Sequence, residues 1–365
     1  MHTYLFTGFP GFIARNLVKG IIESPRHQVE AVYLLVLPSQ KEHAEAEVTA
    51  IENIYPETAG RLHLVTGDIT DPHLGLEKNI SEYLASSVNF IFHLAALYDL
   101  AADAKAARKV NVTGTENVTR WTSKCTALIR YVYFSTAYVS GKREGLVLET
   151  ELDAGQSFKN HYEQTKFEAE KIVEAHKGSI PITIIRPGIV RGHSVTGETI
   201  KFDGPYFILN MFDRLSFLPA LPYLGAGEAD GNFVPVDYVI QASVYLSTLP
   251  QASGNTFHLT DPSPLRMREI YRLLMEEYLG KKPAGTIPFK SATAFLHFRP
   301  LRQWLGIERE ALDYLICRTN YDTSNTERAL ENSGIRFSSF QETLPAMVSF
   351  YKNHRKDPEK KVKIN

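Results

Sequence analysis

Tyr131-Val132-Tyr133-Phe134-Ser135-Thr136-Ala137-Tyr138-Val139-Ser140-Gly141, followed after a polar linker by Tyr162-Glu163-Gln164-Thr165-Lys166, is the stretch that decides how this chain folds. Its first part is an apolar, aromatic run ending in hydroxyl residues, the pattern of a buried strand whose carboxyl end opens into a site. The second part lies within residues 160–176, where good helix formers surround Phe167, Ala169, Ile172 and Val173 at helical spacing. Tyr162 and Lys166 are four residues apart and project from one face of that helix. An ammonium beside a phenol favours phenolate, so the tyrosine pKa is expected to fall from about 10 toward the range of a working acid–base group. Tyr-x-x-x-Lys also arises by chance on amphipathic helices, and its weight comes from the motifs around it.

Upstream, residues 3–7 form a short β-rich run, followed by Gly8-Phe9-Pro10-Gly11-Phe12-Ile13-Ala14-Arg15. Glycines at such a turn let backbone approach a pyrophosphate, and the amides opening the next helix supply donors to it. The spacing is Gly-x-x-Gly-x-x-Ala, and its place between a predicted strand and a predicted helix is the context a dinucleotide fingerprint requires. A second strand spans 29–36. An acidic residue often follows that strand to bind the ribose hydroxyls of NAD, whereas this chain continues Leu37-Pro38-Ser39-Gln40-Lys41. That favours NADP(H) over NAD(H), with Arg15 and Lys41 as candidates near a 2′-phosphate; Lys41 reads equally as a solvated loop charge.

A third strand at 62–66 leads to Gly67-Asp68-Ile69, where the aspartate either caps a turn or accepts a hydrogen bond from an adenine. A fourth, 88–94, ends His93-Leu94-Ala95-Ala96. Its small residues suit close contact with a cofactor and equally suit tight helix–sheet packing; His93 reads as structural. Asn111-Val112-Thr113-Gly114-Thr115 opens the second half of a long helix, and a glycine there points to close packing. A further strand at 180–185 ends Arg186-Pro187-Gly188-Ile189-Val190. This alternation predicts a Rossmann-type α/β fold, a doubly wound parallel sheet.

After Arg191 the alternation stops. Residues 205–212 and 215–224 make an apolar, irregular insertion that would line a greasy channel or pack as the core of a small lobe. Helical patterns at 268–279, 326–332 and 343–353, with Phe289, Phe295, Phe298 and Trp304, are expected to complete that lobe. The predicted division is 1–190 plus 233–260 for dinucleotide binding, 191–232 plus 261–353 for a mixed substrate lobe, and 354–365 as a flexible basic tail.

Composition narrows the class. A net charge of −1 gives no electrostatic case for nucleic acid or an anionic membrane. No apolar run approaches membrane-spanning length. The N-terminus lacks a basic segment before its hydrophobics, so no signal peptide is read there. Cys125 and Cys317 have no metal-ligand spacing, and no metal site is predicted. Together these readings predict a cytoplasmic protein.

Thr7-Gly8-x-x-Gly11-Phe12, His93-Leu94-Ala95-Ala96, Ser135-Thr136-Ala137-Tyr138-Val139, Tyr162-x-x-x-Lys166 and Arg186-Pro187, in this order, resemble an extended short-chain dehydrogenase/reductase. Gly67-Asp68-Ile69 with Leu74-Gly75-Leu76, the Ser-Thr-Ala-Tyr-Val run and Val234-Pro235-Val236-Asp237-Tyr238-Val239 narrow the likeness to the fatty acyl reductase (male-sterility) and thioester-reductase branch. The similarity covers roughly residues 3–249. By position, the resemblance puts the hydroxyl catalyst on Thr136, the acid–base tyrosine on Tyr162, the lysine on Lys166, and on Asn111 an asparagine that holds a relay water. It implies a cofactor site from Thr7, Gly8, Phe9, Pro10, Gly11, Phe12, Ile13 and Arg15, then Asp68, Ile69, Leu94, Ala95, Ala96 and Ser135. Tyr162, Lys166, Pro187, Gly188, Ile189 and Val190 complete it. Acyl reductases often carry arginine where this chain has Leu37.

The implied activity is NAD(P)H-dependent transfer of hydride to a carbonyl, an acyl thioester or the aldehyde derived from it. Fused adenylation and carrier domains are not read in the sequence, so the acyl group is expected to arrive on CoA or a separate carrier protein; a homodimer is compatible with the resemblance. A ketone or alcohol dehydrogenase and a sugar epimerase-like oxidoreductase stand as alternatives. A dehydratase would place a carboxylate directly after the hydroxyl catalyst, where Ala137 and Tyr138 stand. A non-catalytic dinucleotide sensor would be expected to lose Tyr162 or Lys166.

Overall fold

The computed structural model describes residues 1–98, 103–296, 298–307, 314 and 316–362; the side chain of Phe295 and residues 363–365 of the tail fall outside what is described. Seven strands alternate with helices: β1 (His2–Thr7), β2 (Val29–Val36), β3 (Leu62–Thr66), β4 (Phe90–His93), β5 (Arg130–Phe134), β6 (Ile182–Pro187) and β7 (Thr256–Leu259). They form one sheet in the order β7-β6-β5-β4-β1-β2-β3, with every neighbouring pair parallel. This is the doubly wound sheet the alternation predicts. The strand order reverses between β1 and β4, and ligands bind at such a switch point, beyond the carboxyl ends of the strands.

Successive side chains feed two apolar layers. Tyr4, Phe6, Phe92, Val132 and Phe134 pack with Leu17, Val18, Val239 and Ile240 from the helices Phe12–Glu23 and Val236–Thr248. Leu5, Ile91, Tyr131 and Tyr133 face the other way, against Leu84, Val118, Trp121, Ala169 and Val173. Both faces are covered, which is why the strands read as continuous apolar runs instead of alternating ones.

A third core forms the smaller lobe. The helices Tyr206–Arg214, Met267–Leu279 and Phe340–His354 bury Phe212, Ile270, Leu274 and Met347 around Phe202. Of the two readings of the apolar insertion, core packing describes Tyr206, Phe207, Ile208, Leu209, Met211 and Phe212, all of them buried. Phe289 packs at the edge of this core, but Phe298 and Trp304 are exposed. The helix Arg299–Leu305 is two turns long and buries only Leu305, so its aromatics face outward. The helix Ser324–Leu330 leaves the lobe altogether: it packs on β7 and Val236–Thr248, with Leu330 in the sheet's core. The expected free tail lies back on the lobe, where Phe202 N donates to Lys360 O at 2.8 Å and Lys360 Nζ to Thr199 O at 2.9 Å.

What draws that helix to the sheet is a buried carboxylate absent from the sequence-based candidates. Glu149 accepts from His258 N at 2.9 Å on β7, Asn325 N at 2.5 Å, and Thr326 N and Oγ1 at 3.2 and 2.6 Å. Burial raises its pKa, and these donors oppose the rise. Glu149→Ala should leave several buried donors without an acceptor and cost about 2–4 kcal/mol, read from urea unfolding. A loss within about 0.5 kcal/mol, the usual effect of a surface change, would show that the junction does not depend on it.

Candidate active site

Thr7 at the end of β1 and His93 at the end of β4 are register partners across the switch point. Thr7 Oγ1 lies 2.7 Å from His93 Nδ1 and accepts from the amides of Leu94 and Ala95 at 3.2 and 3.1 Å. His93 Nε2 is 3.0 Å from Thr115 Oγ1. His93 is therefore a partnered residue that ties β1, β4 and the helix bearing Asn111. Burial pushes its pKa down to about 3, with the charge of Lys166 adding to the fall, so the ring is neutral at pH 7.

Gly8 follows with φ +88°, and a Cβ there would sit 2.7 Å from Ala95 N and 2.8 Å from Leu94 C. Gly11 N donates back to Gly8 O at 2.9 Å, and Gly11 caps the helix Phe12–Glu23 with no side-chain partner and no acidic residue in the first turn. Among the described residues no side chain caps the amides opening this helix, which leaves a donor set suited to a pyrophosphate. Phe12 and Ile13 pack on the core behind the turn, as does Phe9. Arg15 is engaged elsewhere: its Nη1 pairs with Glu47 at 2.8 Å. Lys41 is exposed and lies 3.8 Å from Glu45, in keeping with the solvated reading.

At the end of β3, Asp68 accepts from Thr70 N at 2.8 Å and so caps its turn. Ile69 is buried against Gly114, where a Cβ would come within 2.6 Å of Ile69 Cδ1; this is the close packing the helical glycine implies. That helix is not uniform. Arg108–Gly114 is a π-helical stretch between the α-helical segments Ala104–Ala107 and Thr115–Thr122. Asn111, on the wide turn, accepts from Leu97 N at 2.7 Å and donates from Nδ2 to Thr165 Oγ1 at 2.9 Å and Leu97 O at 3.4 Å. Both amide protons are spent on the protein, so Asn111 couples the segment after β4 to the helix carrying Tyr162.

That helix, His161–Glu174, begins at Asn160, whose Oδ1 accepts from Glu163 N at 2.9 Å. It packs on the turn Ala137–Ser140 that follows β5. Thr136 Oγ1 caps this turn, accepting from Tyr138 N at 3.3 Å. Lys166 Nζ donates to Phe134 O at 2.6 Å and lies 4.5 Å from the centre of the Tyr133 ring. Burial pushes Lys166 down to about 7, opposed by Glu170. Tyr162, half-buried, moves opposite to the expectation: burial, with Glu163 adding, raises its phenol well above the ordinary value. The ammonium meant to lower it is committed to the Phe134 carbonyl, leaving desolvation to dominate.

Ser135 is likewise committed, donating to Glu170, which Arg186 grips from Nε at 2.8 Å and Nη2 at 2.5 Å. Arg186 and Glu170 are both fully buried. Beyond Pro187, Gly188 N donates to Leu259 O at 3.0 Å and Ile189 N to Asn232 O at 2.9 Å, which carries Val190 toward the lobe. The sequence pattern contained Glu170 one helical turn beyond Lys166, but only the fold shows Arg186 opposite it.

Three comparisons bear on this arrangement. The model of the male sterility protein family of NAD-binding domains matches residues 6–243. The non-canonical nonribosomal peptide synthetase cpsA of Aspergillus campestris is 28% identical over 89% of this chain and 33% of its own length. Aldehyde reductase lnaA of Aspergillus flavus is 24% identical over 91% of this chain and 34% of its own. The chain thus spans about a third of these relatives. Among solved structures, the terminal R domain from the myxalamid PKS-NRPS biosynthetic pathway superposes with a TM-score of 0.81 at 26% identity, covering 98% of this chain and 91% of that one. The fold is the NAD(P)-binding fold of the extended short-chain dehydrogenase/reductase type. The chain belongs to the male sterility protein family. Among the described residues, no helix is long and apolar enough to cross a membrane.

Gly8→Ala would place a methyl group against backbone atoms of Leu94 and Ala95 that cannot swing aside. Dinucleotide affinity should fall at least about tenfold, the effect of some 1.4 kcal/mol of distortion at the turn. Fluorescence titration with NADPH checks it, and unchanged affinity would show that this turn does not hold the phosphates.

Proposed function

We propose that this chain reduces the carbonyl of an acyl thioester, or of the aldehyde derived from it, at the expense of NADPH. The observation that carries the reading is the bond from Lys166 Nζ to Phe134 O, which clamps the helix of Tyr162 to the strand end that presents Thr136. A bound dinucleotide would supply the hydride; the residues of this chain bind, orient and protonate. Thr136 Oγ1 and the Tyr162 hydroxyl would hold the carbonyl oxygen and stabilise charge as it develops there. Because burial keeps the Tyr162 phenol protonated, it is suited to donate a proton when an alkoxide must be neutralised. In thioester reduction the intermediate expels a thiolate, so contacts to the oxyanion matter more than that proton. Asn111 would act by positioning, since its amide is spent on Leu97 and Thr165.

The cofactor would lie along Thr7 to Ile13 and the strand ends at Asp68, Leu94 to Ala96, Ser135 and Pro187 to Val190, with Lys166 on its ribose. NADP(H) is favoured over NAD(H) because no carboxylate follows β2 before Glu42. Arg15, held by Glu47, would have to exchange partners to serve a 2′-phosphate. Residues 1–190 with 233–260 would form the dinucleotide domain, and the lobe centred on Phe212 and Ile270 would close over the substrate. The likeness to a terminal R domain and to a peptide synthetase supports a thioester brought by a carrier protein or CoA.

Oxidation of NADPH and NADH against acyl-CoA, aldehyde and ketone substrates tests the reading: turnover is expected with NADPH and the first two, and turnover of ketones alone would replace it with a ketone dehydrogenase. Tyr162→Phe and Lys166→Ala should each lower turnover at least about a hundredfold. Near wild-type rates in both would remove the mechanism. A pH dependence follows from Lys166. If its ammonium grips the ribose, the free chain with a pKa of about 7 must take up a proton to bind as pH rises. Affinity should then weaken by up to about tenfold per pH unit above that value. Equal dissociation constants at pH 7 and 9 would contradict it.

A further inference from the structure

Directly after β2 the chain offers neither a carboxylate for a ribose nor a cation for a phosphate: Leu37, Pro38, Ser39 and Gln40 are exposed and uncharged. Charge comes instead from the flanking helices. β2 lies beside β1, with Thr7 opposite Leu35. The helix after β1, Phe12–Glu23, and the helix after β2, Lys41–Ile54, pack in one apolar layer through Leu17, Val18, Ala44 and Ile51. Arg15 from the first and Glu47 from the second meet between them, Nη1 to Oε1 at 2.8 Å, with side chains only 17% and 18% exposed. The guanidinium carbon is 5.8 Å from the centre of the Phe12 ring, beside the first residue of the helix that Gly11 caps. Arg15 Nε is buried without an acceptor, so Glu47 alone leaves this guanidinium incompletely satisfied.

We propose that Glu47 is a cofactor-specificity residue, whose carboxylate occupies the Arg15 guanidinium that a 2′-phosphate would take and so limits the preference for NADP(H) over NAD(H). The inference rests on the cofactor placement in the reading of function above. A dinucleotide with a free 2′-hydroxyl asks nothing of the ion pair. One with a 2′-phosphate requires Arg15 to leave Glu47, and the carboxylate left behind repels the incoming anion. Partial burial leaves both the pair and the repulsion poorly screened. His43 Nε2, 4.0 Å from the same Oε1 and on the same helix, can donate to the carboxylate once Arg15 has turned away. A direct role for Glu47 on the ribose is disfavoured. Acids that grip the ribose hydroxyls stand at the end of the second strand, whereas Glu47 lies in the second turn of the following helix with Oε1 already engaged.

Calorimetry on the full chain with NADP+ and with NAD+ tests the proposal. Glu47→Gln should tighten NADP+ about tenfold, the scale of removing one like charge and one competing ion pair, and leave NAD+ within about twofold. The NAD+ titration also shows that the variant is folded. The gain should vanish when Arg15→Ala is added, and should not arise in Glu47→Asp, which keeps the charge. Raising the salt from about 0.1 M to about 1 M should narrow the difference between wild type and Glu47→Gln. Weaker NADP+ binding by Glu47→Gln would show that the carboxylate orients Arg15 for the phosphate, and would overturn the proposal. Weaker NAD+ binding would assign Glu47 to the ribose and overturn it too, as would a gain that survives the loss of Arg15. Tightening confined to NADP+, with no reduction of any thioester or aldehyde by NADPH, would uphold the role of Glu47 and reject the proposed reaction. Reduction of acyl-CoA with both cofactor affinities unmoved by Glu47→Gln would uphold the reaction and overturn the role.

Discussion

The helix that presents Tyr162 and Lys166 is held to the sheet by a charge pair neither member of which can reach water. Arg186 enters from β6 and Glu170 from the helix, and the carboxylate is completed by the Ser135 hydroxyl at the end of β5. A lone buried charge is so costly that such a pair must be satisfied in one geometry or not at all. The pair therefore fixes the helix in rotation and in height. With Glu170 facing β5 and β6, Lys166 one turn earlier falls on Phe134 O. The opposed faces of the sheet supply cohesion, but this contact supplies register.

A second polar chain performs the same task at the switch point. Thr7, His93 and Thr115 link β1, β4 and the helix of Asn111, and the imidazole must be neutral to accept from one hydroxyl while donating to another. Asn111 then carries the linkage to Thr165 on the Tyr162 helix. The glycine turn and the Tyr162 helix, far apart in sequence, are thus both tied by side-chain hydrogen bonds to the helical segment that carries Asn111 and Thr115. Each link is buried, and each is short enough to tolerate little displacement.

Much of the sheet was legible because it obeys local rules. Residues 29–36 and 62–66 coincide with β2 and β3 to the residue, since apolar β-branched runs bounded by polar turns have no competing reading. The glycine turn and the Tyr-x-x-x-Lys helix were legible for the same reason. What was not legible depends on contacts between distant segments. Glu149 and Glu170 look like ordinary charges until Thr326 and Arg186 are brought to them. The Tyr162 pKa is shifted upward by burial, opposite to the expectation from spacing, which shows that Lys166 shares its face but not that Phe134 O claims the ammonium. Phe298 and Trp304, expected to complete the lobe, are exposed because a helix of two turns buries only one side.

The widened turn at Arg108–Gly114 has its own consequence for how this region tolerates change. A π-helical turn accommodates about one residue more than an α-helical turn, so the segments on either side are out of phase by roughly 100° relative to a continuous α-helix. Asp103, capping the upstream end, and Val118, buried downstream, each keep their own orientation because the extra residue absorbs the offset. Shortening this stretch by one residue would let it wind as ordinary helix, yet Asn111 would then turn away from Thr165 or the upstream end would swing off the helix of Tyr162. Single-residue indels here are coupled to the alignment of two helices, whereas substitutions on the exposed side of the same stretch leave that phase untouched.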